Sequence, residues 1–345
     1  MKKWYLCTVL IFTMIFSAAC QTEDNAAENN LNNESNEAGE NADNGAEDNS
    51  ADENNEAGNN DVNNEPAEEL PAEVEDARGE NISLEEKPER VISILPSNTE
   101  IIYALDAWDQ LVAVTSNDDY PPEAGDLPTV GDMVIDVEAV LEQEPDIVLA
   151  GLINDLDAVG QIEDAGIPVF VAEDPNDFPG VYELIEDIGL LLGQQENAAE
   201  IVNDMEERLN AVKETGESIS EEDRVSVWVE VSPSPDIFTT GSGTFMDEIL
   251  TIIGAENVAG EEDGWVAYTE EDAVLANPDV IITTYGSYTE NSKEQILERS
   301  AWQDVSAVQN ERVYDIEANL VSRQGPRLIE GVEQLAELVY PEYYE

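Results

Sequence analysis

The sequence predicts an α/β protein of two similar Rossmann-like lobes, each around a central, mostly parallel sheet, joined by one long α-helix. Three observations lead there. Short apolar runs alternate with helical stretches in both halves of the chain, the pattern of parallel strands with crossover helices. One phrase occurs twice, as "VEAVLEQEPDIVLA" from Val137 to Ala150 and "EEDAVLANPDVIIT" from Glu270 to Thr283. At 345 residues the chain also exceeds what one hydrophobic core usually supports, so two compact units are expected.

In the first half, "RVISIL" (Arg90 to Leu95) alternates toward a strand and runs into "PSNTEIIYAL", where Ser97 and Glu100 stand at capping-box spacing. "LVAVTS", "DIVLAG" and "IPVFVA" read as further buried strands. The second half restarts with "RVSVWVEV" (Arg224 to Val231), a helix near Thr244 to Ile253, then "DVIITTY" and "RVYDI". Between the halves, Ile201, Met205, Leu209 and Val212 make one apolar stripe on a helix expected over residues 194–215. At 1.5 Å per residue such a helix is about 33 Å long, enough to bridge two lobes, although an ordinary surface helix of the first lobe has the same periodicity. The expected organisation is a signal over residues 1–20, a disordered acidic tether over 21–80, lobes over 81–193 and 216–345, and the linking helix between them.

The opening "MKKWYLCTVLIFTMIFSAAC" carries two lysines, an apolar run from Trp4 to Phe16 and small residues ending at Cys20. That is the layout of a secretion signal and too short an apolar run to span a bilayer. "SAAC" resembles a bacterial lipobox with Ser17 where an aliphatic residue is usual; cleavage there makes Cys20 the lipidated first residue. The body is then expected on the extracellular face of the cytoplasmic membrane, anchored by lipid. Cys7 leaves with the signal, so the mature chain has no internal disulfide. Residues 21–65 hold 14 acids and 15 asparagines with no lysine, arginine or aromatic residue, too little apolar surface to offset the entropy of ordering.

The formal charge is −67. Loss of the first 20 residues removes Lys2 and Lys3 but no acid, leaving 80 acids against 11 bases. Such a surface repels phosphate backbones, so nucleic acid is not an expected partner, and it stays hydrated in a saline or alkaline medium. Histidine is absent, which excludes a Ser-His-Asp triad, a histidine-ligated zinc and a histidine-ligated haem. Paired carboxylates leave an extracellular hydrolase as an alternative, but 80 acids always offer some pair. No catalytic residue, metal site or cofactor is expected.

In both copies of the repeated phrase a glutamate begins a short helical run, a proline stops it and an aspartate leads into a buried strand. Glu138 pairs with Glu271, Pro145 with Pro278 and Asp146 with Asp279. The two lobes are therefore copies of one plan, with the glutamates at corresponding points. Each is also the first-turn acid that a helix dipole favours.

Six stretches, "RVISILPSNTEIIYAL", "NDDYPPEA", "VEAVLEQEPDIVLAG", "FTTGSGTFMDEILTIIGAENVA", "EEDAVLANPDVII" and "SRQGPRLIEGVEQLAEL", together resemble the vitamin B12 and ferric-siderophore family of periplasmic binding proteins, of the class III, helical-backbone type. The resemblance covers nearly all of the chain after about Lys87. It implies a ligand held between the lobes, delivery to an ABC permease dimer with its ATPase, and docking of Glu138 and Glu271 onto arginines of that dimer. It also implies little lobe movement on binding.

The resemblance further puts Phe238, Trp265 and Arg323 where second-lobe ligand contacts are expected. Asn117, Asp132 and Gly151 stand where cobalamin-binding members carry first-lobe aromatics, so half of the apolar clamp is absent. Trp265 follows the polar loop "GEEDG" and either stacks on a flat ligand or packs under the loop. Phe238 ends a strand and reads more as core. Arg323 and Arg327 flank a Gly-Pro turn, where a guanidinium either holds a ligand carboxylate, phosphate or catecholate or neutralises neighbouring acids. Tyr120 in "DDYPP" is a further candidate, whereas Tyr103 reads as core. The implied ligand is a metal chelate, a cobalamin-like corrinoid or a ferric siderophore on equal footing, with haem next. A surface lipoprotein without transport function is a reading from another class.

Overall fold

A computed structural model describes residues 72–344, Asp236 excepted. The signal, Cys20 and most of the expected tether lie outside the described residues. An antiparallel hairpin, β1 (Ala72–Glu75) with β2 (Asn81–Leu84), comes first. It starts before the boundary expected at Asn81, because Ala72, Val74, Ile82 and Leu84 alternate inward among acids and pack into the core.

The first lobe is a four-stranded parallel sheet of β3 (Val91–Ser93), β4 (Leu111–Ala113), β5 (Ile147–Gly151) and β6 (Val169–Ala172), in the spatial order β4-β3-β5-β6. The second lobe contains β7 (Ser226–Glu230), the short antiparallel pair β8 (Phe238–Thr240) and β10 (Trp265–Ala267), and β9 (Glu256–Asn257), β11 (Val280–Thr283) and β12 (Val313–Asp315). Its parallel sheet runs β12-β11-β7-β9. In each lobe the first strand lies between the second and the third, so the two sheets share one winding.

Helices α1 (Pro96–Ala104), α2 (Val137–Glu142), α3 (Leu156–Asp164) and α4 (Phe178–Leu191) cover the first sheet. One face packs Val91, Leu149 and Phe170 against α1 and α4; the other packs Ile92, Val148 and Val171 against α2 and α3. Burial on both faces explains the unbroken apolar strands. The linking helix α5 spans Gln195–Ser218 and is followed in the second lobe by α6 (Phe245–Ile252), α7 (Glu270–Ala276), α8 (Ser292–Leu297), α9 (Ser306–Gln309), α10 (Ala318–Ser322) and α11 (Leu328–Val339). Ala198, Val202, Met205, Val212 and Gly216 of α5 are buried. The helix packs on α4 of one lobe and on α6 and α11 of the other, so it bridges them.

The repeated phrase has a structural cause. Glu144 and Asn277 both take φ 48° just before the matching prolines, ending α2 and α7 at the same point. Asp146 then accepts from the Arg90 N–H at 2.9 Å, and Asp279 from the Ser226 N–H at 3.1 Å. Each aspartate thus ties the entry of the third strand to the entry of the first.

The capping box expected at Ser97 and Glu100 does not form. Leu95 is the cap residue without a side-chain bond, and Pro96 supplies the helix start by its fixed φ. Glu100 turns inward instead, toward the second lobe.

Packing along α5 leaves little room. A Cβ on Gly216 would overlap the Ile252 carbonyl oxygen and crowd Gly254, whose φ is +82°. Gly216→Ala is therefore expected to destabilise the protein by about 1–3 kcal/mol, as overpacking does. Gly160, inside α3 with open space around it, gives the opposite sign: Gly160→Ala should stabilise by about 0.5–1 kcal/mol. Denaturant titration of both variants checks the contrast.

Candidate ligand cleft

The loops at the carboxyl ends of both sheets face one another, the usual place for a ligand in an open α/β sheet. Two cavities of ≈ 390 and ≈ 320 Å³ lie there, sharing Asp174, Trp265, Ser322 and Gln324 in their walls. The first lobe contributes Leu95, Pro96 and Ser97 after β3, Leu152 and Ile153 after β5, and Glu173 and Asp174 after β6. The second contributes Thr244, Phe245 and Met246 at the start of α6, Tyr288 after β11, and Val321 of α10.

Trp265 is largely exposed and belongs to the walls of both cavities. It does not pack beneath its loop. The β8–β10 register pairs Trp265 with Thr240 and Ala267 with Phe238, so Phe238 lies on the same sheet face as Trp265, outside the walls of the two cavities and partly exposed.

The arginines are already engaged. Arg323 Nη1 lies 2.8 Å from Glu100 Oε1 and 2.6 Å from Asp119 Oδ1. Arg327 Nη1 lies 3.3 Å from the same Glu100 oxygen, and its guanidinium sits 3.9 Å above the Tyr120 ring. Glu100 is only 2% exposed. Burial pushes its carboxyl up, opposed by the hydrogen bond from Arg323 and the charge of Arg327. These contacts join the lobes. Arg323 also lines the smaller front cavity, whereas Arg327, Tyr120 and Glu100 line a separate groove of ≈ 520 Å³ against α5. Tyr103 is part-exposed in that groove, edge-on to Tyr120 at 5.9 Å, and is not core.

The first-lobe substitutions have local explanations. Gly151 lines the cleft, where a Cβ would run into Leu95 at 2.6 Å. Asp132 accepts from the Val134 N–H, and the Asn117 N–H donates to Thr115. The apolar surface that aromatics would supply comes from Leu152 and Ile153, exposed side chains directly after β5. Sequence reasoning missed these two and Tyr288. The available signal was a pair of aliphatic residues immediately after a strand-ending glycine, at the sheet's ligand-facing end.

Glu138 and Glu271 are both exposed in the first turns of α2 and α7. Among the described residues no group of three or more Cys, Asp or Glu is arranged to hold a metal ion.

The periplasmic binding protein family matches residues 91–320, two thirds of the chain. The chain belongs to that family. A Bacillus subtilis (strain 168) protein described as an uncharacterized ABC transporter substrate-binding lipoprotein, YvrC, is 42% identical over 81% of this chain and 88% of its own length. A vitamin B12-binding protein of Vibrio cholerae is 27% identical over 72% of this chain and 87% of its own. The crystal structure of a possible iron-binding, periplasmic solute-binding protein from Staphylococcus epidermidis superposes with a TM-score of 0.66 at 29% identity, covering 74% of this chain and 100% of that one.

Behind the cleft the lobes meet at Phe178 and Phe245, rings 5.0 Å apart. Glu248, one turn along α6, has a buried Oε2 without a hydrogen-bond partner among the described residues, as has the Tyr182 hydroxyl. Burial and the nearby Asp177 carboxylate push Glu248 up to about 7, against the Phe178 N–H. The folded state therefore favours the protonated form more than the unfolded chain does. That contribution is complete below about pH 4.5 and is lost as pH rises through about 7. Glu248→Gln is expected to raise stability at pH 8 by about 1 kcal/mol after solvent screening, and not at pH 4, which thermal unfolding at the two pH values measures.

Proposed function

We propose that this protein is a lipid-anchored receptor that captures a corrinoid outside the cell and presents it to an ABC permease dimer with its ATPase. The supporting observation is the state of Arg323. It is the cation among the residues lining the two cleft cavities, and its Nη1 is bound by Glu100 and Asp119. What faces a ligand is then Glu173, Asp174 and neutral acceptors around an apolar middle. A corrin ring with a cationic metal and a fringe of amide N–H groups complements that surface. A tris-catecholate ferric siderophore or the two propionates of haem would meet like charge, with the one cation of the wall already offset by two carboxylates. Trp265 and Tyr288 on one side, with Leu152 and Ile153 on the other, offer faces for a flat ring. The kinship with a vitamin B12-binding protein points the same way. Cys20 provides the anchor in this reading, and the chain performs no chemistry.

Thermal unfolding in high salt tests the ligand. Cobinamide or cobalamin at 100 times its dissociation constant should stabilise the protein by about 2.7 kcal/mol, and Trp265→Ala should weaken binding about ten-fold or more. Stabilisation by a ferric siderophore or haem, with none by a corrinoid, would overturn the ligand class and return Arg323 and Arg327 to the ligand.

Delivery is carried by Glu138 and Glu271, which occupy equivalent first turns of the two lobes and meet arginines of the permease dimer. Charge reversal at both, Glu138→Arg with Glu271→Arg, should abolish uptake while corrinoid affinity in solution is unchanged. Normal uptake by the double variant would remove this assignment.

A further inference from the structure

Among the described residues, the exposed large aliphatic side chains fall into two groups. Leu152 and Ile153 wall the cleft, and Leu156 follows them at the start of α3. The others are Met133 at 67% exposure, Val134 at 77% and Leu275 at 81%. These three attend the equivalent glutamates. Leu275 is four residues beyond Glu271 on α7 and therefore on the same helix face. Met133 and Val134 form the tip of the turn that enters α2, whose first turn carries Glu138.

Both platforms are held firmly. In the first lobe, Gly131 at φ +124° and Ile135 close the turn, and Asp132 Oδ1 accepts from the Val134 N–H at 2.9 Å. A side chain at Gly131 would collide with the Val134 carbonyl, so glycine is required for this turn. In the second lobe, Thr269 caps α7, Trp302 Nε1 donates to Glu270 at 3.0 Å, and Asn277 accepts from the Ser306 N–H. Apolar side chains are thus fixed in water on a chain whose formal charge is −67.

We infer that Met133, Val134 and Leu275 are apolar anchors that enter pockets of the permease beside the arginines met by Glu138 and Glu271. The inference rests on the docking reading given above. The occupant is the permease because on both lobes exposed aliphatics accompany the acid, Met133 and Val134 on the turn that leads to Glu138 and Leu275 on the helix face of Glu271. The two anchors are placed differently, on the incoming turn in one lobe and on the helix in the other, where Glu142 stands at the position equivalent to Leu275. Salt gives the anchors a purpose. At about 1 M ionic strength the screening length falls to about 3 Å, so exposed acid–arginine contacts weaken while apolar burial does not.

The test is binding of the full chain to the source cell's permease–ATPase complex in nanodiscs, at about 0.1 M and about 1 M NaCl. Leu275→Ser, and Met133→Ser with Val134→Ser, should each weaken docking about ten-fold at both salts and leave cobinamide affinity and Tm unchanged. Glu138→Ala with Glu271→Ala should weaken it strongly at low salt and less at high salt. Full docking by the serine variants, with loss in the alanine variant, would overturn the anchors and spare the acids. Loss in the serine variants alone would support the anchors and remove the acids. No loss in either would overturn both.

Discussion

The structure depends on one buried charge. Glu100, in the first helix of the first lobe, is almost wholly enclosed and is met by Arg323 and Arg327 of the second lobe. A carboxylate removed from water needs hydrogen-bonded counter-charge, and removing one partner of such a pair is far costlier than removing both. Because both cations come from across the lobe boundary, the lobes cannot part there without exposing an unpaired charge to a partly apolar site. The same pair stands between the front cavities and the groove against α5, and Glu100 with Asp119 offsets the charge of Arg323 at the cavity wall.

Within each half the strands are held in register by the same device, used twice. Asp146 and Asp279 each tie the third strand to the start of the first, and the left-handed Glu144 and Asn277 set where the preceding helix stops. The sheets then present the same ends to the cleft. The bridging helix is seated on both lobes, on the first through Ala198 against Gly189 and on the second through Gly216 against Gly254 and through Arg208, whose guanidinium is held by both carboxylate oxygens of Glu333. Three separate connections, at the clasp, at Phe178 with Phe245 and along α5, join the lobes and oppose their parting.

What the sequence made legible was what repeats or alternates. Buried parallel strands announce themselves as apolar runs, and the doubled phrase pointed to a doubled winding before any strand order was known. The hairpin at Ala72 was hidden because its strands are only four residues long and their exposed positions, Glu73, Glu75, Asn81 and Ser83, continue the polar composition of the tract before them. The capping box failed because spacing does not reveal direction: Glu100 has a three-residue relation to Ser97 and a far stronger attraction to arginines more than two hundred positions away. Cleft residues were legible where a large ring follows a polar loop, as at Trp265. Leu152 and Ile153 escaped because an aliphatic after a strand is ordinarily core, and only the facing lobe shows that they remain uncovered.

A surface so uniformly acidic leaves shape and apolar contact as the features that distinguish one part of it from another. On a chain with 80 acids, one more carboxylate carries little positional information, since its field overlaps those of its neighbours. In concentrated salt even a well-placed acid acts only at contact. An aliphatic side chain on the same surface is scarce, and its burial is undiminished by salt. The exposed aliphatics occur where a ligand or a partner is expected: at the cleft, and beside the two glutamates that the repeat places on equivalent helices. On such a surface the acids favour hydration, and the few apolar side chains left in water are the positions that stand out from their surroundings.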